Sequence, residues 1–192
     1  MLGDRADKLS IVIDETFERI AAAAYLSSLT TQSMAELRGR RAECQRLEDR
    51  ISFVRRLAQG RLDIVRDARQ RRADGHEPAD VAALLASLPE TLAGGVGGGR
   101  RTRSAHLPDL ADTASAVAEL DALCPPADLA RLGEQDDHDL AEVEAALTDF
   151  EQQVSAQRTI AFGRLDALTD ELASRYRSGE TNVDSLLGEL KA

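Results

Sequence analysis

Residues 47–65 read LEDRISFVRRLAQGRLDIV, and residues 150–168 read FEQQVSAQRTIAFGRLDAL. Laid over each other without gaps, they match at Glu48/Glu151, Ser52/Ser155, Arg55/Arg158, Ala58/Ala161, Gly60/Gly163, Arg61/Arg164, Leu62/Leu165 and Asp63/Asp166. The copies lie 103 residues apart, and eight identities in nineteen positions exceed what helical composition alone supplies. Several of the repeated residues are polar, so the repeat encodes more than a core.

Both stretches sit on long helical patterns with a narrow apolar stripe at coiled-coil spacing. The first stripe is Cys44, Leu47, Ile51, Val54, Ala58, Leu62 and Val65; the second is Val143, Leu147, Phe150, Val154, Ala161, Leu165, Leu168 and Leu172. Ser33 with Glu36 forms a capping box that opens the first helix, and Asp74-Gly75 closes it. The second helix opens near Gln135 to Asp139, where acidic side chains suit a helix N-terminus, and runs to Ser178-Gly179. Strand signals are nearly absent. The expected fold is all-α: an antiparallel two-helix coiled-coil hairpin with short accessory helices and a flexible linker.

Outward from these helices, the chain divides into five stretches. Residues 1–32 form an N-terminal helical segment, with a helix centred on Phe17 to Leu26; residues 33–74 are the first long helix. Residues 75–133 form a linker with short helices at Pro78–Leu88 and Pro108–Leu123, separated by the flexible GGVGGGRRTRS of Gly94–Ser104. Residues 134–178 are the second long helix, and residues 179–192 hold a short helix at Val183–Leu190. Between Ser33 and Asp74 twelve Arg face seven acids, whereas between Glu134 and Ser178 four Arg face eleven acids. Opposite net charges favour pairing the two helices with each other, although each exposed pair contributes only ~0.2–1 kcal/mol.

Composition narrows the function. The 192 residues are 3% aromatic, contain no Trp and carry a net charge of −10, which argues against the chain gripping nucleic acid itself. The basic residues are 22 Arg and two Lys, a balance that a high-GC genome explains. Arg100, Arg101 and Arg103 read as a solvated part of the linker. Cys44 and Cys124 are isolated thiols far from His76, His106 and His138, so no metal site or disulfide framework is indicated. The N-terminal apolar stretch is interrupted by Asp14, Glu15, Glu18 and Arg19, which fits neither a signal peptide nor a membrane span and makes the cytoplasm the expected compartment. No nucleophile, base and orienter stand at recognisable spacing, and no strand precedes GGVGGG, so an enzyme is not expected.

The repeated polar residues have a place on the helix. At about 100° per residue, Glu48, Ser52, Arg55, Gln59 and Asp63 fall within one band, rotated by about 100° from the apolar stripe. Glu151, Ser155, Arg158, Phe162 and Asp166 form the same band on the second helix. In an antiparallel pair the two bands can line the same side of the hairpin. A single copy would pass for an ordinary solvated, salt-bridged face. Its duplication favours a ligand. Arg and Asp on neighbouring turns suit guanine, whose N1–H and N2–H2 donate to a carboxylate while O6 and N7 accept from a guanidinium. Gly60 and Gly163 would admit either a ligand or the facing helix, at a cost of roughly 0.5–1 kcal/mol each relative to Ala.

The first copy is E-x3-S-x2-R-x3-Q-x3-D without deviation, and it resembles the signature of the RsiG-type anti-sigma factors. The second copy fits at Glu151, Ser155, Arg158 and Asp166, with Phe162 where the signature has Gln. The resemblance implies that two intercalated cyclic di-GMP molecules bind along the hairpin, with the Arg and Asp pairs reading guanine. It implies further that the loaded protein holds a WhiG-type sigma factor of the flagellar class inactive, and so represses sporulation genes. Phe162 has two available roles, stacking on a base or packing against the first helix; packing is the expectation. The alternative to this whole reading is a scaffolding coiled coil without a ligand.

Overall fold

The computed structural model describes residues 14–75 and 110–179, and every regular element among them is helical. Helix α1 (Glu15–Ala21) starts at Asp14, whose carboxylate accepts from the Phe17 N–H at 2.8 Å. The single helix expected around Phe17 to Leu26 does not continue. The chain leaves helical geometry at Ala22 (φ −56°, ψ 139°) and proceeds through 3-10 turns at Ala23–Leu26 and Leu29–Thr31. Four consecutive alanines would favour helix, but tertiary contacts prevail: Tyr25 is buried and donates its hydroxyl to Glu43 at 3.0 Å.

Helix α2 (Met34–Ala73) begins at the capping box. The Ser33 N–H donates to Glu36 Oε2 at 2.7 Å, and the Glu36 N–H donates back to Ser33 Oγ at 3.2 Å. Helices α3 (Leu110–Leu123) and α4 (Pro126–Leu129) follow, then a 3-10 turn at Leu132–Glu134 and helix α5 (Asp137–Ser178). Asp136 caps α5 by accepting from the Asp139 N–H at 2.8 Å. Gly75 (φ 71°) and Gly179 (φ 79°) end the two long helices in the left-handed conformation that glycine takes without steric cost. The expected helices at Pro78–Leu88 and Val183–Leu190, and the Gly94–Ser104 linker with its three arginines, lie outside the described residues.

The described residues divide into two compact units, and each takes part of both long helices. In the first unit, residues 49–73 of α2 run antiparallel to residues 137–156 of α5, with α3 and α4 alongside. The direction is read from partners whose numbers rise on α2 as they fall on α5: Arg55 with Glu151, Arg66 with Glu144, and Arg72 with Asp137. Its core is Ile51, Val54, Ala58, Leu62 and Val65 against Leu140, Leu147, Phe150 and Val154, closed by Ala116 and Leu120. Ile51 is fully buried, and truncating it to Ala would cost about 2–5 kcal/mol.

In the second unit, residues 34–48 of α2 run antiparallel to residues 157–178 of α5, as Glu48 with Arg158, Arg41 with Thr169 and Arg38 with Tyr176 establish. Leu37, Cys44 and Leu47 face Ala161, Leu165, Leu168 and Leu172, with Phe17, Ile20 and Tyr25 packed in. The molecule is therefore an all-α helical hairpin. Two details depart from the expected stripes. Val143 is only half-buried, while Leu37 and Leu140 are fully buried, and the seam position equivalent to Val54 holds the buried polar side chain of Gln157. No helix among the described residues is long and apolar enough to cross a membrane.

The repeat extends well beyond the nineteen positions read from sequence. Arg61 donates to the carbonyl of Cys124 at 2.7 Å, at the end of α3; Arg164 donates to the carbonyl of Ala21 at 2.7 Å, at the end of α1. Each guanidinium satisfies a terminal carbonyl that its helix leaves without a partner. Likewise Arg72 reaches the carbonyl of Leu132 at 3.2 Å, and Arg175 reaches that of Leu29. Donors and acceptors alike are related by the same offset of 103 residues.

Candidate functional site

The first unit gathers four motif residues around one carboxylate oxygen. Glu151 Oε1 accepts from Arg55 Nε at 3.0 Å, from Gln59 Nε2 at 3.0 Å and from Ser155 Oγ at 2.9 Å. Arg55 Nε also lies 2.8 Å from Ser155 Oγ. Helix geometry makes this possible: Arg55 and Gln59 stand one turn apart on α2, and Glu151 and Ser155 one turn apart on α5. The terminal nitrogens of Arg55 make no hydrogen bond among the described residues, so the edge of the guanidinium stays available while its root is fixed. Ser52 is half-buried on the same helix face.

Asp63, one turn beyond Gln59, is exposed, and its carboxylate has no hydrogen bond or ion pair among the described residues. Gln59, Leu62, Asp63, Arg66, Thr148, Glu151 and Gln152 line a cleft of about 390 Å³. The cleft thus holds the acceptor carboxylate of Asp63 together with Gln59 and Glu151 of the polar cluster. A larger cleft of about 540 Å³ lies nearer the end of α2, lined by Arg66, Arg69 and Arg72. All three guanidiniums are already taken by carboxylates there, Arg66 and Arg69 by Glu144 and Arg72 by Asp137. The two arginines hold the Glu144 carboxyl below the usual range, Arg69 contributing most.

The second unit carries the equivalent pair of Arg and Glu. Arg158 Nε donates to Glu48 Oε1 at 2.9 Å, and Glu48 is 8% exposed. The Arg of each copy therefore pairs with the Glu of the other copy. Asp166, like Asp63, is exposed and has no hydrogen bond or ion pair among the described residues. Where the first unit has Gln59, the second has Phe162, whose ring lies under the Arg158 guanidinium at 5.5 Å from its centroid. Phe162 is 43% exposed, so it is not held in the seam by packing against the first helix as expected. Position explains this: it is one residue past Ala161, which fills the seam.

The glycines resolve in the same direction. A Cβ placed on Gly60 or Gly163 would meet nothing within 4 Å, so no facing helix requires either residue. The crossed pairing of Arg and Glu was not legible from spacing along one helix. The wider extent of the repeat was: aligning the chain with itself at the same offset brings Leu29, Gln32, Leu37 and Arg72 over Leu132, Gln135, Leu140 and Arg175.

A family model described as RsiG-like matches residues 23–92, which include the first motif copy from Glu48 to Asp63 and stop short of the second. No curated protein matches the chain. The motif and the family match agree, and the family suggests a regulatory, anti-sigma role with a sigma factor as partner. Over residues 23–92 the chain is thus similar to the RsiG-like family.

Proposed function

We propose that this protein is an anti-sigma factor that binds cyclic di-GMP through both motif copies and, when loaded, sequesters a WhiG-type sigma factor that drives sporulation genes. The observation that carries the reading is the crossed pairing, Arg55 with Glu151 and Arg158 with Glu48. Arg55, fixed at Nε by Glu151, keeps its terminal nitrogens for O6 and N7 of a guanine, and little side-chain entropy remains to be lost on binding. Asp63 and Asp166 complete the recognition, since each carboxylate can accept from the N1–H and N2–H2 edge. Glu48 and Glu151 serve as positioning residues, with Ser52, Ser155 and Gln59 adding donors and acceptors.

Two clusters per chain suit two molecules of ligand. The acidic balance of −10 suits a partner that presents the basic, DNA-binding surface of a sigma factor. Titration of the purified chain with cyclic di-GMP by calorimetry tests the reading. About two ligands per chain are expected; a chain that takes up none is a scaffolding coiled coil.

A further inference from the structure

The two units differ at one motif position, and the difference changes how a ligand can be held. In the first, Gln59 donates to Glu151 at 3.0 Å and so belongs to the polar cluster around Arg55. In the second, Phe162 has no polar atom to offer, yet its ring remains 43% exposed. Arg158 is held from two sides, by Glu48 at Nε (2.9 Å) and by the Phe162 ring beneath its plane (5.5 Å). An exposed ring beside a guanidinium gives a flat surface that accepts a purine face. Gln59 gives Arg55 no such surface.

We propose that Phe162 is a base-stacking residue, so that the cluster of Glu48, Arg158, Phe162 and Asp166 holds guanine by its face as well as its edge. The first cluster, with Arg55, Gln59 and Asp63, reads the edge alone. The two clusters therefore hold guanine differently, the second through the Phe162 face as well as the edge. This inference rests on the function proposed above and deepens it by giving Phe162 a role in ligand binding.

Calorimetric titration of the full chain with cyclic di-GMP tests it, using the unaltered chain, Phe162→Leu and Phe162→Trp. Because Phe162 is exposed, both variants are expected to keep the ligand-free melting temperature. Phe162→Leu is expected to weaken cyclic di-GMP binding by about fivefold or more and Phe162→Trp to preserve it. A Leu variant that titrates like the unaltered chain, while Arg55→Ala weakens binding, overturns the stacking role and leaves the proposed function standing. Failure of the unaltered chain to bind cyclic di-GMP at all removes the proposed function, and the stacking role with it.

Discussion

Arg55 on α2 donates its Nε to Glu151 on α5 at 3.0 Å, although 96 residues separate them. The pair joins one copy of the motif to the other, and the same role is filled in the second unit by Arg158 and Glu48. An isolated exposed pair would contribute little, roughly 0–1 kcal/mol. Its value here is orientation, because it fixes an arginine whose terminal nitrogens make no hydrogen bond among the described residues.

Arg55→Ala and Arg158→Ala are expected to weaken cyclic di-GMP binding by about tenfold or more, as loss of a bidentate guanine contact costs ~1–3 kcal/mol. Arg→Lys at either position should fare little better, since an ammonium cannot reproduce the planar fork. Circular dichroism should show helicity retained in all four variants. Normal binding by both Ala variants would refute the site assignment.

Gly60→Ala and Gly163→Ala should each stabilise the ligand-free chain by ~0.5–1 kcal/mol, because helix interiors prefer Ala and the added Cβ meets nothing within 4 Å. Thermal melts report this directly. A lower melting temperature in either variant would mean that something does pack against these positions.

Acid stability should depend on Glu43. The Arg19 guanidinium, with help from the Tyr25 hydroxyl, holds its carboxyl below the usual carboxylate range. The unfolded chain, with an ordinary carboxyl near ~4.3, then takes up the proton first. The stabilisation is thus fully present above that ordinary value and is lost as pH falls through the lower folded value. Melting temperatures followed from pH 7 to about pH 3 should fall less steeply for Glu43→Gln than for the unaltered chain. Identical slopes would show that Arg19 and Glu43 do not interact in solution.

Much of the hairpin was legible because periodicity alone identifies a seam. Ile51, Val54 and Leu62 recur at helical spacing and are buried, and the Ser33–Glu36 box marks the start of α2 where the chain enters it. Local pattern failed where distant contacts decide. The alanines after Ala21 have the highest helix propensity, but the burial of Tyr25 beside Glu43 turns the chain out of helix. Arg61, Arg72, Arg164 and Arg175 look like solvated surface charges in sequence, yet each donates to a carbonyl at least 60 residues away. The polar band was legible as a band. The register that crosses Arg55 to Glu151 depends on how two helices meet, which spacing along one of them does not encode. Phe162 misled because aromatic residues are usually buried, whereas its place one residue past Ala161 turns it outward.

Asp63→Ala and Asp166→Ala separate the ligand from the partner. Neither carboxylate has another hydrogen bond or ion pair among the described residues, so their removal should leave the fold intact. Sigma capture should weaken in the presence of cyclic di-GMP and stay unchanged in its absence. Weakening in both conditions would place these residues in the sigma interface instead.

Ligand and sigma factor should bind with positive coupling, and linkage requires each to tighten the other by the same factor. Measuring the affinity of the purified chain for a WhiG-type sigma factor with and without saturating cyclic di-GMP tests it most directly. Binding should be tighter with ligand, by about fivefold or more. Equal affinities in the two conditions would contradict it.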